Sequence, residues 1–241
     1  EPNRIVSEEW LRDRQDANTL PPEGSVKNPI MPDDGYPLRV SWHGILVDDT
    51  NHPEDIVARF REVLEVIWKE RADAIEQEAC GLLGVKTLRD YFRRPSGFFA
   101  DHLKRYSKSR RQAPIYWPLS TAKGSYTVWI YYHRLTDQTL HTALADFVDP
   151  KIKAVRAEIS ALRETATHRN RLEELQDLEK ELADFYTEIE DIIKLPWKPN
   201  LNDGVLITAS PLWKLFHLPK WQKDLRTCWE KLEKGEYDWA H

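Results

Sequence analysis

The sequence predicts a mainly α-helical fold carrying one small antiparallel β-hairpin and a protruding, coiled-coil-like helical arm. Three observations lead there. Apolar residues recur at three- and four-residue spacing over several long stretches. Two β-rich segments, PIYWPLS and SYTVWIYYH, flank the glycine turn Ala122-Lys123-Gly124. Between 149 and 194 lies a long charged region with two separate apolar repeats.

At 241 residues, with 41% apolar and 31% charged side chains, the chain can bury a sizeable core. Ten tryptophans suggest a core built around large aromatic anchors. Two cysteines, Cys80 and Cys228, read as small buried hydrophobes in a reducing compartment rather than as a disulfide framework. No apolar run is long enough to span a bilayer and no secretory signal stands out, so the chain reads as cytoplasmic. The first residue is Glu1 and the last are Tyr237-Asp238-Trp239-Ala240-His241, which read as boundaries inside a longer protein.

Taken in order, residues 1–40 form an extended, proline-rich arm, because prolines at 21, 22, 29, 32 and 37 forbid helix and central strand. A short helix is expected near Ser7. The region 41–148 is expected to be a helical core with the β-hairpin at about 114–133. Its first element is a strand over 38–47, where Gly44 marks a bulge or a close approach. A long amphipathic helix follows, starting at Pro53 and stopping at Gly84. Shorter helices are predicted over 86–93, 98–106 and 137–148, and Pro118 places the first hairpin strand at a sheet edge.

Region 149–194 is the arm. Ile152, Val155, Ile159 and Leu162 form one apolar set, and Leu175, Leu178, Leu182, Phe185, Ile189 and Ile192 a second. The sets are out of phase, which fits a helical hairpin or one helix with a stutter. Residues 149–171 carry net +3 and residues 173–191 net −8, which favours the hairpin. In 195–241, a short strand at Val205–Thr208 and helices at 211–216 and 218–234 would pack back on the core through Trp213, Trp221 and Trp229.

Sites for catalysis are hard to find. No glycine-rich loop follows a strand, and no Cys-x-x-Cys or His-Glu-x-x-His occurs. Asn28-Pro29-Ile30 lacks the second proline and the aromatic of the tetrad that amino-methyltransferases use on the target base. Asp48 and Asp49, ending a strand, read either as a paired-carboxylate nuclease site or as a helix-capping turn. No catalytic or metal residue is assigned.

The sharpest feature is segment 93–111, with seven basic residues against Asp101, in a chain of net charge −5. Arg93, Arg94, Lys104, Arg105, Lys108, Arg110 and Arg111 are candidates for DNA phosphates. The alternatives are a solvated loop or a partner for the acidic arm. Tyr131, Tyr132 and His133 are candidates for stacking on a flipped or single-stranded base, against the alternative of a core hairpin.

The run YFRRPSGFFADHLKRYSKSRRQAPIYWPLSTAKGSYTVWIYYHRLTDQTL resembles the region beyond the methylase core in PglX-type proteins. These are adenine-specific DNA methyltransferases of BREX phage-defence systems, related to single-chain restriction–modification enzymes. The stretches HPEDIVARFREVLEVIW and DGVLITASPLWKLFHLPKWQKDLRTCWEKLEKGEYDWAH are similar to the same proteins. The resemblance implies a C-terminal fragment of an enzyme that uses S-adenosylmethionine to methylate adenine N6 in double-stranded DNA. It implies no catalytic residue and no cofactor in this fragment. A role in clamping DNA is expected from it; docking other BREX subunits or a phage inhibitor is the alternative, and an independent nuclease a third reading. No membrane partner is expected.

Overall fold

The computed structural model describes residues 38, 41–108, 111–165, 169–195 and 198–236, with the backbone alone of Lys108, Arg111, Glu164 and Thr165. The expected proline-rich arm, apart from Leu38, and the helix near Ser7 lie outside the described residues. What is described is mainly helical, with a small antiparallel sheet.

Strand β1 (Ile45–Val47) is shorter than the run 38–47 suggested. Gly44 explains the late start. Its φ is +64°, and a Cβ there would sit 2.6 Å from the Cβ of Arg134, so the backbone turns and passes close to a neighbour.

The long helix of the sequence reading is two helices. Helix α1 (Ile56–Trp68) and helix α2 (Ala72–Leu83) are separated by a 3₁₀ turn at Lys69–Arg71. Lys69 takes a positive φ of 50°. The break lets the two helices fold on each other, where Arg61 on α1 grips Glu76 on α2 through two bonds of 2.8 and 2.7 Å. Helix α1 begins at Ile56 rather than at Pro53, because the Asp55 carboxylate accepts from Ala58 N at 3.1 Å and makes Asp55 the cap. Gly84 closes α2 in the left-handed conformation, as its position predicts.

Helix α3 (Leu88–Arg93) starts on a reciprocal capping box between Thr87 and Asp90. Helix α4 (Phe98–Arg105) follows after a corner at Gly97. A Cβ at Gly97 would lie 2.1 Å from the carbonyl oxygen of Tyr91, so only glycine fits that corner. Strands β2 (Ser107–Lys108) and β3 (Arg111–Gln112) pair as a short ribbon.

Strands β4 (Tyr116–Ser120) and β5 (Thr127–Tyr131) form the hairpin, and β1 adds to β5 on its other side. Pro118 lies on β4, an edge strand, where its missing N–H costs no ladder bond. On one sheet face Trp129 meets Phe92 of α3 and Phe98 of α4. On the other face Trp117 meets Phe216. Both tryptophans are essentially inaccessible, and truncating either to alanine should cost about 3–5 kcal/mol.

Helix α5 (Thr139–Thr142) starts two residues later than expected and runs through a π-helical stretch, Ala143–Val148, into α6 (Asp149–Thr165). Helix α7 (Arg169–Ile193) packs against α6, and residues of both apolar sets are buried, among them Val155, Ile159, Leu182 and Phe185. The arm is thus a helical hairpin. Its cross-helix charge pairing is mixed: Arg156 meets Glu179 at 2.6 Å, but Arg171 of the acidic helix meets Glu158 of the basic one at 2.9 Å. Asp177 and Glu181 reach instead to Lys123 in the hairpin turn.

The expected strand at Val205–Thr208 is helix α8 (Val205–Ala209). Three β-favouring residues, Val205, Ile207 and Thr208, are overruled as Val205, Thr208 and Ala209 are buried, with Thr208 N bonding back to Gly204 O and the Thr208 hydroxyl also satisfying that carbonyl. A 3₁₀ stretch at Ser210–Leu215 and helix α9 (Pro219–Glu233) are the last described elements. Trp221 is fully buried there, while Trp213 is half-buried with Arg226 5.3 Å over its ring. Both cysteines are unpaired and buried, and burial raises both thiol pKa values. Among the described residues no helix is long and apolar enough to cross a membrane.

Candidate nucleic-acid interface

The basic segment divides into two parts with different surroundings. In the first, Arg89 and Arg93 stand one helical turn apart on α3 and face the end of β1. Arg89 donates to Asp48 and, at 2.9 and 2.8 Å, to both carboxylate oxygens of Asp55. Arg93 donates through Nε to the other oxygen of Asp48. Asp48 and Asp55 are only 3% exposed, so two buried carboxylates are neutralised by two guanidiniums. The carboxylates hold the Arg89 pKa above its usual value.

This network bears directly on the nuclease reading. Asp48 is taken by Arg89 and Arg93, and Asp49 by Lys151 at 2.8 Å. Among the described residues no group of three or more His, Cys, Asp or Glu is placed to hold a metal. The capping reading is also displaced, by six residues from Asp49, since Asp55 caps α1.

Arg94 is exposed, with a weak 3.5 Å contact from its guanidinium to Gly84 O. With Lys86, Arg93 and Asp90 it borders an open depression of about 720 Å³. Asp90 is already engaged with Thr87 through the capping box.

The second part begins at the end of α4. Lys104 and Arg105 are exposed and have no ion-pair partner among the described residues. They sit in the last helical turn, where cations suit the helix dipole. The chain continues into the β2–β3 ribbon, whose ends carry Lys108 and Arg111; Arg110 lies outside the described residues. The ribbon is anchored at its base, where Ala113 N donates to Tyr106 O at 3.1 Å.

His102 joins this region to the sheet. Its Nε2 accepts from the backbone N–H of Ile115 at 3.0 Å and of Tyr116 at 3.1 Å. Burial, aided by the nearby Arg105 charge, pushes its pKa down to about 4, so the neutral acceptor form is the native one.

The three stacking candidates have separate environments. Tyr132 is buried against Trp117 and donates its hydroxyl to Leu201 O at 2.8 Å, so it belongs to the core. Tyr131 is half-buried and stacks on Tyr116, while His133 is exposed against its edge. Sequence reasoning missed Arg89, His102, Tyr116 and the exposed Arg134. Only Arg89 had a signal, its four-residue spacing from Arg93.

No family profile matches this chain. It is 28% identical over 133 residues to a protein named adenine-specific methyltransferase BrxX, from Escherichia coli O9:H4 (strain HS). The match covers 49% of this chain and only 10% of the relative's own length, so the matched stretch spans about a tenth of that protein. The similarity is distant and partial.

The glycines and strands described have the following places. The sheet is antiparallel, and Gly84, Gly124 and Gly204 occupy a helix end, a hairpin turn and a helix cap. None leads from a parallel strand into a helix.

Proposed function

We propose that this chain is a non-catalytic, DNA-contacting part of a BREX-type adenine-specific DNA methyltransferase. The observation that carries this reading is the exposed pair Lys104 and Arg105 on a helix end, continuing into a ribbon bearing Lys108 and Arg111, in a chain of net charge −5. Cations lacking a carboxylate partner are the groups that exchange counterions for phosphates. Arg94 is a further exposed cation, beside Lys86. Arg93 contributes less, because its Nε is committed to Asp48. Methyl transfer and S-adenosylmethionine binding belong, on this reading, to the rest of a longer enzyme.

The test is duplex DNA binding by the chain as a function of salt. Affinity should fall steeply as salt rises, and replacing Arg110 and Arg111 by Ala should lower it for all sequences alike. Binding unchanged by those substitutions would sink the proposal.

A second reading, docking of another defence subunit or a phage inhibitor, is favoured by a different surface. Ile67 and Trp68 on α1 and Leu82 on α2 are exposed by 53%, 39% and 84%. Capture of a purified BREX subunit by the chain in the absence of any DNA binding would select this reading.

A further inference from the structure

Near the exposed cations lies a row of aromatic rings in which Tyr116 packs partly against the core, Tyr131 is half-buried, and Tyr106 and His133 are exposed. Tyr116 and Tyr131 are cross-strand partners, with ring centroids 5.0 Å apart and planes 26° from parallel. His133 meets the edge of Tyr131 at 5.4 Å. His102 continues the row, 5.9 Å from Tyr116 and 4.6 Å from Tyr106, and Tyr106 is 39% exposed.

These rings differ from the structural aromatics nearby. Trp117, Trp129, Tyr126 and Tyr132 are buried, whereas Tyr116 and Tyr131 are half-buried and His133 is exposed. Lys104 and Arg105 precede the row in α4, and exposed Arg134 follows it, none with a carboxylate partner among the described residues. His102 holds α4 to the start of β4 and so fixes Tyr116 beside the cations. Accessible rings beside unpaired cations suit a nucleobase attached to its phosphate.

We propose that Tyr106, Tyr116, Tyr131 and His133 form a stacking platform for unpaired DNA bases, with Lys104, Arg105 and Arg134 holding the adjoining phosphates. The proposal rests on the DNA-contact reading and adds a preference for exposed bases over a closed duplex. Stacking needs only a ring face, so the platform should be tolerant of sequence.

The experiment measures fluorescence anisotropy of a labelled oligothymidine and of a duplex with the same number of phosphates, using the 241-residue chain. Oligothymidine should bind, and Tyr131→Leu and Tyr106→Leu should each lower the ratio of single-strand to duplex affinity about tenfold. Tyr131→Phe, which keeps the ring, should restore that ratio. Tyr106, which is exposed, provides a variant outside the core. An unchanged ratio in both leucine variants, or duplex binding without oligothymidine binding, would overturn the platform alone. Absence of binding to either DNA would overturn both the platform and the DNA-contact reading.

Discussion

Arg93 and Arg105 belong to one basic run, yet their surroundings oppose each other. Arg93 lies against Asp48, a carboxylate 45 positions earlier in the chain and almost fully buried. Arg105 projects into solvent from the end of α4 with no acidic partner among the described residues. The first arginine neutralises charge that folding has buried; the second leaves its own charge available to a ligand. A basic stretch in a sequence is therefore not one functional unit, and its partners in space decide what each residue does.

The largest test of that contrast is stability. Asp48→Asn leaves Arg93 without a counter-charge and Arg89 with Asp55 alone, and should destabilise the fold by about 3 kcal/mol. Lys104→Ala and Arg105→Ala should each stay within about 0.5 kcal/mol of the parent. Urea denaturation reads both, and similar losses for the two groups would erase the distinction.

Acid should next expose how the solvent-facing half is held. His102 has a folded pKa of about 4, below its ordinary 6.5, so the native state binds fewer protons between those values. Its contribution is complete above about pH 6.5 and lost as pH falls toward 4, by up to about 3 kcal/mol. Stability measured at pH 7 and near pH 4.5 should show a smaller acid loss in His102→Gln than in the parent protein. Equal losses would remove His102 from the account.

The smallest effect belongs to the arm. Arg156 and Glu179 pair at 2.6 Å, but Arg156 is 60% exposed, so the pair should be worth less than about 1 kcal/mol and weaken with salt. A double-mutant cycle over Arg156→Ala and Glu179→Ala reads it. A larger coupling would mean that exposed ion pairs here behave like the buried network around Asp48.

Periodicity and turn chemistry made much of this fold legible. The stops at Gly84 and the Ala122-Lys123-Gly124 turn, the edge position of Pro118 and the helical hairpin of the arm all follow from local rules. What escaped depends on distant contacts. The break at Lys69 has no proline or glycine to announce it. The Val205–Ala209 helix overrides β-favouring side chains by tertiary burial of Val205, Thr208 and Ala209. At the candidate site, charge composition located the segment but could not separate Arg93 from Arg105, because Asp48 and Asp55 lie far away in sequence. The same blindness grouped Tyr132 with Tyr131, although alternation along the strand end sends one into the core and leaves the other beside Tyr116.

The central claim is that the solvent-facing half of the basic segment touches DNA phosphates. The most direct measurement is the slope of log affinity for duplex DNA against log salt, for the parent chain and for the double variant Lys104→Ala/Arg105→Ala. The account predicts a negative slope whose magnitude falls by about 1.8 in the double variant, close to 0.9 for each phosphate contact removed. The same slope in both proteins would contradict it.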